Sequence, residues 1–264
     1  MNFKNKVIWI TGASSGIGEA LTVALAAEGA RLVLSAQRKE ALEKVAAGCR
    51  LDSDHLLILP FDLSETSRVD SLTNLVIQKF DRIDILINNG GISQRSLTKE
   101  TPLEIDRKIM EVDYFGQIAL TKSVLPHMLK QKSGHVVVIS SIAGKFGFWY
   151  RSAYSAAKHA LQGFFESFRL ETENDGIKTL IVYPGKIHTN ISINAMTEDG
   201  TKHNKMDKST EAGMTADECA KIILRAIRDN KEEVLVGGKE IKVVWLKRHF
   251  PKWFGRIIRK APRE

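Results

Sequence analysis

A tyrosine and a lysine four residues apart, Tyr154 and Lys158, lie in a segment whose apolar pattern predicts a helix over 152–169. That spacing puts both side chains on one helical face. A free phenol titrates near pH 10, about three units above neutrality, so it needs help to exchange a proton. An adjacent ammonium gives that help because a positive charge favours the phenolate. Ser141 closes the apolar run 136–139 and can hydrogen-bond a substrate oxygen. The three residues could move a proton at a carbonyl or hydroxyl oxygen; for the Tyr–Lys pair alone, an ordinary amphipathic helix face is the alternative.

A second chemical feature is the glycine cluster of segment 11–18, which reads Thr-Gly-Ala-Ser-Ser-Gly-Ile-Gly. It follows an apolar run at 7–10 and leads into a helical pattern at 19–28. Glycines let the backbone turn tightly beside a pyrophosphate, and a helix N-terminus supplies amides and a positive dipole end. A simple strand-to-helix turn is the alternative, but the strand–loop–helix context favours phosphate binding. The candidate phosphate-binding residues are Gly12, Ser14, Ser15, Gly16, Ile17 and Gly18.

The elements that must position these residues alternate along the chain. Continuous apolar runs, typical of strands covered on both faces, alternate with amphipathic segments. Such alternation predicts an α/β fold of three layers, a doubly wound parallel sheet with helices on both faces and right-handed crossovers. Capping boxes at 101–104 and 215–218 predict two helix starts, with Pro102 at the first helical position. The predicted strands lie near 6–11, 31–36, 56–61, 83–88, 134–140, 177–183 and 233–237.

Length and charge suggest one domain with two appendages. A chain of 264 residues suits a single α/β unit, which we assign to residues 1–238. A long polar stretch at about 190–214 predicts a lid over a site. Residues 239–264 form a basic aromatic tail, in which nine lysines and arginines face two glutamates. That tail accounts for seven of the eight net positive charges, so the body itself is not basic.

Several classes of site are not indicated. The two cysteines, Cys49 and Cys219, lack the spacing of a disulfide framework or a zinc site, and we expect small buried residues in a reducing compartment. No apolar run has the length of a secretory signal or a membrane span, so the expected location is the cytosol. His127, His159 and His188 have no metal-ligand partners at useful spacing, and no metal is predicted.

Taken together, these motifs resemble one family. The spacing Gly-x3-Gly-x-Gly after Thr11, with Ser141, Tyr154 and Lys158 in this order, is similar to short-chain dehydrogenases/reductases of the classical type, over nearly all of 5–237. The resemblance implies a single-domain Rossmann fold and direct hydride transfer between a nicotinamide and a carbonyl or alcohol. It further implies that Tyr154 is the general acid/base, that Ser141 orients the oxygen and that Lys158 lowers the tyrosine pKa and holds the nicotinamide ribose. A homodimer or homotetramer is expected.

One position departs from the family pattern. The family usually carries a Val-Asn pair whose asparagine supports a water-linked proton relay to the lysine. This chain has Asp113 there, in the segment 111–116, and so brings a charge near Lys158. We count Asp113 among the candidate catalytic residues.

Further cofactor contacts follow from the resemblance. Segment 88–91 resembles the family's Asn-Asn-Ala-Gly turn, segment 61–63 the turn beside the adenine, and segment 184–189 the turn beside the nicotinamide carboxamide. A strand-end turn is the alternative for the first of these. The residues implied as cofactor contacts are Asp62, Leu63, Asn89, Gly90, Pro184, Gly185, Ile187 and Thr189.

The choice between NAD and NADP depends on the end of the second strand. NAD sites usually place an acid there for the ribose 2′-hydroxyl. The stretch 34–39 has no acid and offers Arg38, a good bidentate phosphate ligand, next to Gln37, where related NADP enzymes often carry arginine. We therefore expect NADP, with NAD as the alternative.

The substrate side is apolar. Phe146, Phe148, Trp149 and Tyr150 lie between Ser141 and Tyr154, and the lid adds Ile191, Ile193 and Met196. A core-packing turn is the alternative, but the cluster favours an apolar ketone or aldehyde as substrate.

Alternatives remain for the tail and for the whole chain. The tail predicts either a solvated face with packed aromatics or a segment on an anionic membrane; nucleic-acid binding has no matching fold. The rival functions are a cofactor-binding regulatory protein without turnover, which Asp113 leaves open, and a dehydratase or epimerase on the same fold.

Overall fold

The computed structural model describes residues 2–261 and places seven parallel strands in one sheet. Their order across the sheet is β3-β2-β1-β4-β5-β6-β7. All seven predicted strands are confirmed. β3 is shorter than the predicted 56–61 and ends before Pro60, which has no N–H for a sheet hydrogen bond. The strands are β1 (Val7–Thr11), β2 (Arg31–Ser35), β3 (Leu56–Ile58), β4 (Ile85–Asn88), β5 (Gly134–Ile139), β6 (Ile177–Pro184) and β7 (Glu233–Val236).

Helices cover both faces of this sheet, as the alternating pattern predicts. Consecutive residues of a strand point to opposite faces. In β1, Ile8 and Ile10 join the core beneath α1, α2 and α8, whereas Val7 and Trp9 join the core beneath α3, α5 and α6. The helices are α1 (Gly16–Ala27), α2 (Lys39–Cys49), α3 (Val69–Phe80), α4 (Leu103–Met110), α5 (Gly116–Gln131), α6 (Ser152–Thr172), α7 (Lys208–Glu211), α8 (Ala216–Arg228), α9 (Lys242–His249) and α10 (Pro251–Arg259). The architecture is a three-layer Rossmann fold.

The strand order places the functional cleft. The chain leaves β1 for β2 and β3, then returns to the other side of β1 to form β4. Beyond the carboxyl ends of β1 and β4 the loops therefore diverge to opposite sides, and in open α/β sheets ligands bind in that crevice.

The two predicted capping boxes have different outcomes. At α8, Thr215 Oγ1 accepts a hydrogen bond from the Glu218 N–H at 3.2 Å, and the Glu218 carboxylate accepts one from the Thr215 N–H at 3.1 Å. This prediction is therefore confirmed. At α4 the prediction is wrong. Thr101 Oγ1 donates to the Leu97 carbonyl at 2.8 Å and is committed to the preceding turn, and Pro102 is the cap itself.

A π-helical turn, Glu111–Phe115, joins α4 to α5. The extra residue in such a turn shifts the side-chain directions that follow, and π-turns often occur at functional sites. Asp113 lies at its centre and is completely buried.

The segments predicted as lid and tail are ordered against the body. Within the lid, Met196 forms isolated bridges with Gln94 and Lys202. Residues 239–261 fold into a 3-10 turn, α9 and α10, and residues 262–264 of the predicted tail lie outside the described residues.

None of the helices within residues 2–261 combines the length and the apolar character that a membrane span needs. Burial raises the pKa of the Cys219 thiol to about 12, which suits a structural residue.

Candidate active site

A cleft of about 550 Å³ lies at the carboxyl ends of the strands, where the topology places it. Its walls come from every motif that the sequence pointed to: the glycine loop, the turns after β2, β3, β4 and β6, and the segment from Ser141 to Lys158. Of the predicted site residues, Gly18, Tyr150, Ile193 and Met196 are not part of its lining. The structure thus brings together predicted site residues that are up to 177 residues apart, from Gly12 to Thr189.

The glycine loop has the conformation that a phosphate cradle needs. Gly12 and Gly16 have φ angles of 65° and 58°, which glycine adopts without strain. A Cβ on Gly18 would lie 2.2 Å from the Gly12 carbonyl oxygen, so Gly18 lets α1 approach the loop rather than touching a ligand. Ser15, the residue before α1, forms no side-chain cap with the first turn. The first amides of α1 are therefore available to an anion, as the dipole also favours.

Asn89 and Thr11 hold the loop in place. Asn89 Nδ2 donates to the carbonyls of Thr11 at 2.9 Å and Gly12 at 3.3 Å. In return, Thr11 Oγ1 accepts the N–H groups of Asn89 and Gly90, both at 2.9 Å. The turn after β4 therefore fixes the backbone of the glycine loop, and we assign Asn89 a positioning role.

At the far end of the cleft lie the residues predicted to bind the adenosine. Gln37 Nε2 donates to Asp62 Oδ2 at 2.7 Å. Hydrogen bonds from Ser64 lower the pKa of Asp62 despite its partial burial, so its carboxylate is a fixed negative group. Arg38 is exposed and lines the same wall, and within residues 2–261 it forms no ion pair. Leu63 is buried, and its Cδ1 is 2.7 Å from where a Cβ on Gly90 would be.

The predicted catalytic residues line the centre of the cleft. α6 presents Tyr154 and Lys158 one turn apart, and the Lys158 Nζ lies 5.6 Å from the centre of the Tyr154 ring. Ser141 follows β5, and its Oγ accepts the Ala143 N–H at 3.1 Å. That bond orients the serine oxygen while its hydroxyl hydrogen can still be donated to a ligand.

Asp113 forms a buried ion pair with Lys158. The Asp113 Oδ2 lies 3.2 Å from Lys158 Nζ, and the side chains are 0% and 4% exposed. Burial raises the pKa of the Asp113 carboxyl, while Lys158 opposes that rise. Burial alone would lower the pKa of Lys158, but the Asp113 carboxylate raises it above its usual range. Oδ1 accepts the Ile92 N–H at 2.7 Å, which fixes the carboxylate in this position. Lys158 therefore stays charged, with its charge largely paired.

The turn after β6 is fastened to the C-terminal segment. Pro184, Gly185, Ile187 and Thr189 all line the cleft, as predicted from the resemblance. Glu240 Oε1 accepts the N–H groups of Lys186 at 2.9 Å and Gly238 at 3.0 Å. A Cβ on Gly185 would lie 2.4 Å from the same carboxylate oxygen, so a larger residue there would displace the Glu240 side chain. No local sequence pattern indicated this role of Glu240.

The part of the cleft predicted to hold the substrate has an apolar wall, which includes residues that the sequence did not single out. Phe146, Phe148, Trp149 and Ile191 line it, joined by four residues of the C-terminal segment: Val243, Ile257, Ile258 and Ala261. Phe146 packs between Phe148 and Phe254, with ring centroids 4.7 and 5.1 Å away.

Three predicted substrate contacts lie elsewhere. Tyr150 adopts a φ of 62°, and its ring lies under the Arg95 guanidinium at 5.3 Å, on the wall of a separate shallow pocket. Ile193 and Met196 are also outside the lining, and Met196 forms bridges with Gln94 and Lys202.

A buried charge cluster joins the lid to the body. Asp207 is 6% exposed and forms ion pairs with Arg95 at 3.0 Å and with Arg151 at 2.7 Å. Arg151 also donates to Ser93 Oγ at 2.8 Å. All four residues line the cleft, and none was predicted. Because the partners are 56 or more residues away in sequence, no local spacing could have revealed them.

Within residues 2–261 no group of three or more histidine, cysteine, aspartate or glutamate side chains could hold an ion. The arrangement can instead bind a dinucleotide along the cleft and move a proton at an oxygen held between Ser141 and Tyr154.

Comparisons with known proteins agree with this geometry. A family model described as short chain dehydrogenase matches residues 6–200. The chain is 40% identical over 266 residues to "Dehydrogenase/reductase SDR family member 7B" of Mus musculus, covering 99% of this chain and 82% of that protein. Among solved structures it is similar to levodione reductase, with a TM-score of 0.80 and 29% identity over 90% of this chain and 98% of that one. A Burkholderia phymatum short chain dehydrogenase/reductase in complex with NAD has a TM-score of 0.85 at 22% identity, covering 96% of each chain, and supports the fold.

Proposed function

The chain belongs to the short-chain dehydrogenase family, and within that family we propose that it is an NADP-dependent reductase of an apolar ketone or aldehyde. The family membership makes it an oxidoreductase that acts on CH–OH or C=O groups with a nicotinamide cofactor. The observation that carries the finer proposal is the joint placement of Ser141, Tyr154 and Lys158 in one cleft that also has an apolar wall. The homo-oligomer and the cytosolic location stay predictions.

The residues present fit such a cofactor. The left-handed glycines and uncapped first turn of α1 suit a pyrophosphate, and the cleft continues from there to the turn containing Ile187. When bound, NADPH would supply the hydride for the substrate carbon. Lys158 would hold the nicotinamide ribose, and Thr189 and Ile187 would contact the carboxamide.

The protein's own contribution is to hold the oxygen and supply its proton. Ser141 donates its hydroxyl hydrogen to the substrate oxygen and so fixes the carbonyl. Tyr154 donates the phenolic proton to the same oxygen during reduction, or takes it back during oxidation. The Lys158 ammonium stabilises the phenolate left behind because it lies 5.6 Å from the ring centre. The aromatic wall of Phe146, Phe148 and Trp149 excludes water and favours an apolar substrate.

Arg38 supports NADP over NAD. Lys39 is engaged with Glu43 at 3.6 Å, whereas the guanidinium of Arg38 forms no ion pair within residues 2–261 and lies on the cleft wall. A guanidinium grips a phosphate through two parallel hydrogen bonds. No acidic residue stands within 34–39 to repel a 2′-phosphate.

The test compares cofactor kinetics in two neighbouring variants. Arg38→Ala should raise the KM for NADPH roughly 10- to 100-fold, since a hydrogen bond to a charged group contributes about 1.5–3 kcal/mol, and leave that for NADH nearly unchanged. Lys39→Ala is the matched control, and we expect little effect on either. Equal losses with both cofactors in Arg38→Ala would show that the arginine does not read the phosphate. A preference of the wild type for NADH over NADPH would refute the NADP proposal.

A further inference from the structure

Four large apolar side chains of the C-terminal segment face solvent. Trp245, Phe250, Trp253 and Ile257 are between 45% and 62% exposed, and we call them the apolar patch. The three rings form a ribbon, with 5.6 Å between the centroids of Trp245 and Phe250 and 5.8 Å between those of Phe250 and Trp253. A contiguous exposed patch of this kind marks an interaction surface.

The patch is held in place from beneath. Val243, Val244, Phe254 and Ile258 of α9 and α10 pack against the core beside α3, α5 and α6. Lys247 Nζ donates to the Lys145 carbonyl at 2.5 Å and ties α9 to the loop after β5. The exposed aromatic residues are therefore presented by helices that are anchored on both sides.

The apolar patch is continuous with the mouth of the cleft. Ile257 is half exposed and also lines the cleft, together with its neighbour Ile258. Val243, two residues before Trp245, lines it as well. A surface that covers the patch would therefore lie directly over the substrate end of the cleft.

Exposed cations surround the patch. In the described part of the chain none of them forms an ion pair, and the segment's one described acid, Glu240, is committed to the turn after β6. Charges of one sign would repel one another across a symmetric contact with a second copy, whereas they are attracted to anionic lipid headgroups. These cations are Lys242, Arg248, Lys252, Arg256, Arg259 and Lys260.

We propose that the apolar patch seats the protein on an anionic lipid surface, so that an apolar substrate passes from the lipid into the cleft beneath α9 and α10. On a helix lying in the interface, tryptophan, phenylalanine and isoleucine enter the headgroup boundary while the flanking cations meet the phosphates. The lipid-binding part of the proposal depends only on the apolar patch and the exposed cations. The passage of substrate rests on the proposed reductase function.

Co-sedimentation of the full chain with vesicles tests the surface. The vesicles are phosphatidylcholine alone or with roughly one-third phosphatidylserine, enough to give an anionic surface potential. Wild-type protein should bind the anionic vesicles and release them as salt rises. Trp245→Ser/Trp253→Ser and Lys252→Gln/Arg256→Gln should each lower the partition coefficient on the order of tenfold or more.

Matched controls separate this surface from general stickiness and charge. Leu103→Ser/Leu170→Ser removes two leucines that are 58% and 71% exposed on α4 and α6, and Lys44→Gln/Lys221→Gln removes two exposed cations elsewhere. Neither should change vesicle binding. Equal losses in patch and control variants, or no binding by the wild type, would overturn the proposal. The proposal would also be overturned if the wild type did not bind vesicles and instead formed a concentration-dependent dimer in gel filtration that only Trp245→Ser/Trp253→Ser abolished.

A second readout separates this proposal from the reductase function. All variants should reduce a water-soluble aromatic ketone at the wild-type rate without vesicles. With a long-chain ketone dissolved in anionic vesicles, the patch variants should show a KM raised on the order of tenfold, with kcat unchanged. Turnover of the soluble ketone by a wild type that does not bind vesicles would refute the lipid-binding proposal and leave the reductase function standing. Vesicle binding without turnover of any ketone would refute the reductase function and leave the surface standing.

Discussion

Replacing Asp113 by asparagine removes one buried charge and keeps the shape of the side chain. The asparagine carbonyl can still accept the Ile92 N–H that Asp113 now accepts at 2.7 Å. What changes is the partner of Lys158, whose Nζ lies 3.2 Å from the carboxylate. This variant therefore asks whether the carboxylate, in the place of the family's asparagine, tempers the charge that acts on Tyr154.

The structure sets the size of two effects. At 3.2 Å the charges attract by about 5 kcal/mol for an effective dielectric constant of about 20, much of it offset by their desolvation. We expect Asp113→Asn to lower the free energy of unfolding by about 3 kcal/mol, since Lys158 loses its buried partner. The ammonium lies 5.6 Å from the Tyr154 ring centre, where an unpaired charge would stabilise a phenolate by about 3 kcal/mol on the same scale.

The carboxylate cancels part of that stabilisation in the wild type. Restoring half of it would move the pH profile of alcohol oxidation about one unit toward acid, at 1.36 kcal/mol per unit. The sign follows from the phenolate being the base in oxidation: a more stable phenolate forms at lower pH. The assay is kcat/KM for oxidation from about pH 6 to 11, so that the profile extends past the pKa of a free phenol near 10.

Asp84→Asn is the matched control for this experiment. Asp84 is also a buried carboxylate, paired with Lys6 at 3.1 Å and Arg82 at 2.8 Å, but it lies outside the cleft lining. It should lose stability without moving the pH profile. An unchanged or alkaline-shifted profile in a folded Asp113→Asn protein would refute the reasoning that the carboxylate tempers Lys158.

Two predictions concern stability. Burial lowers the pKa of His135 to about 4, with help from the Lys178 charge, so the unfolded chain binds its proton first and stability falls as pH drops from about 6.5 to 4. Between pH 7 and 5 the wild type should therefore lose about 2 kcal/mol of stability that His135→Leu does not lose. Urea unfolding measures this, with His127→Gln as the control that should behave like the wild type. The same pH dependence in His135→Leu and in the wild type would contradict the prediction. Thr215→Ala should cost about 1 kcal/mol by removing the α8 cap, whereas Thr98→Ala, at an exposed turn, should cost little; equal midpoints in urea would contradict the cap's contribution.

Features that repeat along the chain were the readable part of the fold. Strand runs such as 136–139 and 180–182 carry their own signal because both faces of the sheet are covered. The glycine loop and the Tyr–Lys pair were readable because their chemistry depends on short spacings. The same holds for the capping box at Thr215, whereas Thr101 failed because a preceding carbonyl competes for its hydroxyl.

Contacts between distant segments were not readable. Asp207 meets Arg95 and Arg151 only after the lid folds back on the body, and each residue alone resembles any surface charge. Glu240 reaches the turn after β6 across 54 residues. The tail showed its composition but not that one side of α9 and α10 would close the cleft, because that depends on which side packs inward.

The most direct test of the central claim is reduction of apolar ketones and aldehydes by wild-type protein and Tyr154→Phe, followed as loss of NADPH absorbance. The phenylalanine keeps the ring beside Lys158 and removes only the hydroxyl that gives the proton. The account predicts turnover in the wild type and a loss of about 10²- to 10⁴-fold in kcat in the variant, the usual contribution of a general acid, with NADPH binding retained. Undiminished turnover in Tyr154→Phe, or tight NADPH binding by a wild type that turns over no carbonyl compound, would contradict it.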